Sequence, residues 1–252
     1  IQICMVKAKQ AESDMGLVWQ LLGERQPVIA LLSAPFPAAF PELHPGQLVT
    51  ALKKLGFSEV MEDAFGVELI CREYTRLLAE DKGKTFLSST CPVVVSYVEK
   101  YYPQLIGNLA PIVSPMIATG RVVKWQYNPQ AKVVFIGPCV AKIAEARDEK
   151  VTGVIDAVLT FAELKEMFAA KEISPESEEI GQFSGLKPNI GRLFAISGGL
   201  LKAAGLYDDI LTNEIINACG RDYSPHILRE FAEGNITAKL INLCFCEGCV
   251  DG

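Results

Sequence analysis

The chain has 252 residues, a net charge of −6 and a hydrophobic share of 50%. That length suffices for one large domain or two lobes with a proper core. The mild acidity argues against nucleic acid as a partner, and no apolar run reaches the length of a membrane span. Eight cysteines behind a start without leader architecture point to metal chemistry in a reducing compartment, the cytoplasm.

The opening stretch, Ile1 to Gln10, contains a lone Cys4. It resembles the closing cysteine of a bacterial ferredoxin motif, with Met5 where a proline usually follows. Residues 1–26 are accordingly expected to be the remnant of a ferredoxin-like module and its linker, cut from a longer protein, and too poor in cysteine to hold a cluster.

From Pro27 onward, strands and helices alternate. Val28–Leu32 is a buried strand that Pro35 and Pro37 bring to an end. Pro45 and Gly46 open a helix with Leu48, Leu52 and Leu55 on one face and Gly56 as its stop. A strand over 57–61 and a helix over 65–78 follow, with Cys71 among the core positions. A short strand over 84–87 runs into Ser88-Ser89-Thr90-Cys91-Pro92 and a helix over 93–101. Cys91 thus sits at a strand-to-helix turn, where backbone N–H groups favour a thiolate.

The second half repeats the device. A strand over 132–136 ends in Gly137-Pro138-Cys139-Val140-Ala141-Lys142, another turn into a helix. Residues 154–159 are a strand and 161–170 a helix. Residues 172–187 are acidic and irregular, and 192–206 are helix-like around Ser197-Gly198-Gly199. The last helix covers 225–233 and the last strand 237–243. That strand delivers Cys244, Cys246 and Cys249 within six residues. Three thiols in one glycine-bearing loop suit metal or iron–sulfur ligation better than a disulfide framework. Cys219 reads as structural. His44 and His226, the only histidines, stand beside prolines in helix-start loops, with no ligand role expected.

This alternation predicts a parallel α/β architecture of two lobes, each a mostly parallel sheet flanked by helices, divided near residue 130 into 27–130 and 131–252. Ligands of such sheets bind beyond the carboxyl ends of the strands. Cys91, Cys139 and the terminal trio all lie just past such an end, so they are expected to meet in one cleft between the lobes. Four thiolates suit zinc as well as a [4Fe-4S] cluster.

The three loops Ser89–Pro92, Gly137–Lys142 and Cys246–Gly252 resemble the signature loops of the C-terminal domain of the [FeFe]-hydrogenase large subunit. The likeness extends through Gln47–Leu77, Val93–Pro115 and Phe194–Ala204. It implies an H-cluster, in which a [4Fe-4S] cubane held by four cysteines is bridged to a diiron subcluster. By position, Cys91, Cys139, Cys246 and Cys249 become the cluster ligands, with Cys249 the bridging one. Phe245 stands where the family places the fourth ligand, so Cys246 is favoured as that ligand and Cys244 stays open. Lys142 matches a lysine that hydrogen-bonds a cyanide of the diiron unit. A ferredoxin-type electron donor, expected in the full-length chain, and hydrogenase maturation proteins are the implied partners.

Departures from the family pattern cluster on its proton route. Thr90 replaces a relay cysteine, Ala110 a serine and Arg76 a glutamate, while Glu73 matches the route's other glutamate. Phe36 replaces a small polar residue beside the diiron unit, and Gly137 a methionine over it. The resemblance therefore implies a slow or sensory hydrogenase, with Lys142, Thr90 and Glu73 as candidate catalytic residues. The alternative is a non-catalytic [4Fe-4S] module for signalling or electron transfer.

Overall fold

The computed structural model describes residues 12–80, 83–206 and 214–251, which leaves Cys4 outside the described residues. The strands are β1 (Val28–Leu32), β2 (Glu59–Glu62), β3 (Phe86–Leu87), β4 (Lys132–Gly137), β5 (Ala157–Thr160), β6 (Ile215–Cys219) and β7 (Leu240–Cys244). The helices are α1 (Met15–Gly23), α2 (Phe36–Ala39), α3 (Pro45–Leu55), α4 (Ala64–Glu80), α5 (Pro92–Tyr101), α6 (Pro115–Val122), α7 (Ala141–Ala146), α8 (Phe161–Ala170), α9 (Gly199–Ala204) and α10 (Tyr223–Ala232).

Two all-parallel sheets form, one ordered β2-β1-β4-β5 and the other β3-β7-β6. Side chains of a strand alternate between faces, and both faces of the larger sheet are buried. Val28, Ala30 and Leu32 pack with Leu48, Leu52 and Leu164 on one side, while Ile29 and Leu31 pack with Met116 and Ile117 on the other. Parallel sheets require such cover because their crossovers lay helices on both faces. The smaller sheet is likewise enclosed. Phe86 and Leu240 face Val67, Ile70 and Tyr74 of α4, and Leu87, Ile241 and Leu243 face Val94, Val98 and Leu228.

The expected lobe boundary near residue 130 does not describe these sheets. β1 and β2 from the first half pair with β4 and β5 from the second, and β3 pairs with β7. Parallel neighbours need long crossovers, so a two-sheet fold can interleave distant segments. Residues 12–26 are also more than a linker. Val18 and Leu21 of α1 are buried in the larger sheet's core, and Asp14 accepts the Val158 N–H at 3.0 Å. Among the labelled strands and helices four were not foreseen: α1, α2, α6 and β6. The segment around Ser197–Gly199 is a 3-10 turn over Ile190–Ala195 followed by α9, broken by Gly198 at φ 67°.

Local capping follows the sequence. His44 is the N-cap of α3, its Nδ1 accepting from Gly46 N–H at 3.1 Å while Gln47 Oε1 accepts the His44 N–H at 3.0 Å. Between the sheets α4 crosses α6 at Gly66, where an added methyl would collide with the Pro115 carbonyl and the Thr119 hydroxyl. Gly66→Ala is therefore expected to destabilise the fold by ~1–3 kcal/mol, although alanine favours helix over glycine. The check is a lower denaturation midpoint at unchanged slope.

Candidate metal centre

Each site residue lies where a strand has just ended. Cys91 is the N-cap of α5, four residues past β3. Cys139 follows β4 by two residues and precedes α7. Cys244 closes β7, and Cys246 and Cys249 occupy the loop after it. All five line one cavity of about 80 Å³, together with Thr90, Lys142, Cys219, Asn242 and the Gly198–Gly199 turn. The convergence expected from the strand ends is thus present. Among the described residues, no three His, Cys, Asp or Glu side chains approach closely enough to hold a single ion.

The loop after β7 shows how Cys246 is presented. Phe245 turns its ring away from the cavity to Tyr97 of α5, with centroids 5.1 Å apart. Neighbours on either side of it, Cys244 and Cys246, line the cavity. The Cys244 thiol donates to the Cys246 carbonyl at 3.0 Å and hydrogen-bonds Cys219 on the adjacent strand.

Electrostatics divide the thiols. Burial pushes Cys249 up to about 12, against the pull of the nearby Lys142 cation. Burial also raises Cys139, opposed by Lys142 and by the N–H groups of Ala141 and Lys142. Any metal or cluster bound by these two thiols would have to displace their protons. Cys219 is lowered to about 6, first by its hydrogen bond with Cys244 and then, against burial, by bonds from Ser197 and the Gly198 N–H. Its partner Cys244 is raised by the same bond and by burial. Lys142 is itself buried. Desolvation alone would lower its pKa, but the 2.7 Å ion pair with Glu145 and the sulfurs of Cys139 and Cys249 outweigh it and hold the cation.

The proton-route candidates separate. Thr90 is buried and lines the cavity. Glu73 does not reach it. Its side chain is 51% exposed and paired with Arg76, which also binds Glu80 at 2.9 Å. One residue further along α4, a rotation of about 100°, Tyr74 is fully buried and its hydroxyl accepts the Ser89 N–H at 3.0 Å. Ala110 is buried beside α4, and Cys71 of α4 is a core residue as expected. Phe36 packs on Phe183 with centroids 6.0 Å apart.

Three features were missed from sequence. Cys219, read as structural, belongs to the cavity wall. Its signal was present: Ile215-Ile216-Asn217-Ala218-Cys219 matches Leu240-Ile241-Asn242-Leu243-Cys244, and the two segments pair residue for residue. Glu62, 3% exposed, holds Arg192 through two 2.7 Å bonds and so fixes the 190–195 turn. Asp63 is fully enclosed behind Lys142, its Oδ1 accepting the Ala34 N–H at 2.9 Å.

Burial pushes Asp63 from 3.8 up to about 7, and Glu62 adds to this, while the Ala34 N–H, Lys142 and Ser33 pull it down. Between those pH values the folded chain keeps a proton that the unfolded chain has lost. This group's stabilisation is therefore fullest below pH 3.8 and is lost as pH rises toward about 7. The difference is on the order of 4 kcal/mol at ~1.4 kcal/mol per tenfold. Asp63→Asn keeps an acceptor for Ala34 and carries no charge. Urea denaturation at pH 5 and pH 8 should show a smaller loss for Asp63→Asn than for the parent, and equal losses would refute this.

Two interleaved parallel sheets that bring cysteines from three loops to one cavity, with a buried lysine beside them, define a scaffold for a thiolate-bound centre. The family model described as "Iron only hydrogenase large subunit, C-terminal domain" matches residues 26–252, and the chain belongs to that family. Iron hydrogenase 1 of Clostridium pasteurianum is 34% identical over 181 residues, which cover 63% of this chain and 31% of that protein. The cytosolic Fe-S cluster assembly factor NAR1 homolog of Schizosaccharomyces japonicus is 34% identical over 110 residues, 39% of this chain and 21% of that protein. The chain thus spans only a minor part of the length of these curated relatives. In fold it is similar to the apo [FeFe]-hydrogenase HydA1 of Chlamydomonas reinhardtii, with TM-score 0.79, 19% identity, and coverage of 96% of this chain and 84% of that one.

Proposed function

We propose that the chain is an iron–sulfur redox protein that interconverts or senses dihydrogen, protons and electrons at an H-cluster, with slow turnover. The observation that carries this reading is the convergence of Cys91, Cys139, Cys246 and Cys249 on one cavity beside the buried cation of Lys142. The donor set fits. Soft thiolates suit iron–sulfur clusters, and all four line one cavity. These four residues would hold the [4Fe-4S] part, and Lys142 would face the diiron unit. When bound, the cluster supplies one-electron transfer, and the diiron unit the place where protons and electrons combine as dihydrogen.

The chain's own residues do the rest. Lys142, held by Glu145, keeps a fixed positive charge next to the sulfurs of Cys139 and Cys249. Apolar side chains, Phe194 and Leu200 among them, form part of the cavity wall. Thr90 offers a hydroxyl where a proton would enter. A ferredoxin-type donor would deliver electrons, maturation proteins would insert the diiron unit, and the cytoplasm would keep the thiols reduced.

A second reading, a [4Fe-4S] module without the diiron unit, is favoured by Glu73, which lies on the surface with Arg76 instead of beside Thr90. Infrared spectra after maturation decide between the two. Bands from CO and cyanide ligands are expected, and their absence from protein carrying a full cubane would leave the second reading.

A further inference from the structure

Six cysteines line the cavity, and the proposed cluster uses four of them. The remaining two, Cys219 and Cys244, stand opposite each other at the carboxyl ends of β6 and β7, paired in parallel register. Adjacent strands lie about 4.8 Å apart, inside the ~4.4–6.8 Å that disulfides span between Cα atoms. Their thiols already hydrogen-bond to one another. The strands below are tied at the same register by the Asn242 amide, which donates to Asn217 Oδ1 at 2.8 Å. Both cysteines are half-buried and open on the cavity.

We propose that Cys219 and Cys244 form a redox-active dithiol, a modification site separate from the cluster ligands, which a low-molecular-weight disulfide closes into an intrachain disulfide. This rests on the reading that Cys246, not Cys244, is the fourth ligand. The Cys219 thiolate, which accepts hydrogen bonds from Ser197 and the Gly198 N–H, attacks one oxidant sulfur. The oxidant's S–S bond breaks and its other half leaves as a thiolate. The Cys244 thiol, giving up its proton to the departing thiolate, then attacks the Cys219 sulfur and expels the second half. Two electrons pass from the chain to the oxidant, and the two protons end on the two released thiols. Closure removes the S–H that Cys244 donates to the Cys246 carbonyl. The oxidation state of the pair is thereby coupled to the root of the ligand loop.

The test treats the reduced, cluster-free chain with oxidised glutathione under anaerobic conditions, alkylates the remaining thiols and maps the peptides by mass. The expected product links Cys219 to Cys244, reverts with dithiothreitol and is absent from Cys219→Ser. Linkage of Cys244 to Cys246 or Cys249 instead, or alkylation of both Cys219 and Cys244, overturns the proposal. Cys244→Ser is reconstituted separately with iron and sulfide and is expected to take up a full cluster. Its failure to do so, with the Cys219–Cys244 link still found in the parent chain, keeps the dithiol and moves the fourth ligand to Cys244.

Discussion

Cys139→Ser is expected to abolish cluster binding. Anaerobic reconstitution of the parent chain should give about four irons and four sulfides per chain, the content of one cubane. The serine variant should fall below half of that and lose the visible charge-transfer band. A serine hydroxyl is harder and far less acidic than a thiol, so it cannot supply the soft anionic donor that iron–sulfur clusters require. Cys139 alone represents the loop after β4, and the other thiols come from β3, β6 and β7. The parallel variants Cys244→Ser and Cys246→Ser locate the fourth ligand. On the ligand set proposed above, Cys246→Ser should lose the cluster and Cys244→Ser keep it. A full cluster with an unchanged spectrum in Cys139→Ser would refute the ligand set. The opposite pattern in the other two would move the fourth ligand to Cys244.

The strand ends that build this site were legible because each apolar run stops at a Gly, Pro or Ser-rich turn, and the cysteines follow directly. What could not be read has physical causes. α6 is buried on every side from Pro115 to Gly120, so it has no polar face to produce a helical period. β6 is an edge strand with intermediate exposure at four of its five positions, which blurs the apolar signal. Sheet membership depends on pairing across long crossovers, and no local pattern shows that β3 leaves the larger sheet to join β7. Asp63 is a surface-type residue by composition, and only the packing of β1, β2 and α7 encloses it.

The proton route was the part where matching by position and three-dimensional placement diverged, and it carries the second large expected effect. Matching by position put Glu73 on the relay. The helix turns Glu73 outward to Arg76 and turns Tyr74 inward to Ser89, next to Thr90. Burial raises the Tyr74 hydroxyl to about 12, far from the near-neutral value an efficient relay needs. Thr90 is poorer still, since an alcohol gives up its proton less readily than a thiol near pKa ~8.5. The expected result, after maturation and with an artificial electron donor, is low hydrogen evolution by the parent chain. Thr90→Cys alone should raise it by no more than about tenfold, because the next inward group still holds its proton. Thr90→Cys combined with Tyr74→Glu and Ala110→Ser should approach the hundred- to ten-thousand-fold, roughly, that general acid–base transfer contributes. Arg76→Glu by itself should change little, since Arg76 is an exposed surface cation whose loss would leave Glu73 and Glu80 beside a third carboxylate. Thermal melts of each variant separate lost folding from lost transfer, because Tyr74→Glu buries a carboxyl group. Parent turnover equal to that of a bulk hydrogenase assayed alongside would overturn the slow or sensory reading. A triple variant no faster than Thr90→Cys would show that protons enter by a path that avoids Tyr74.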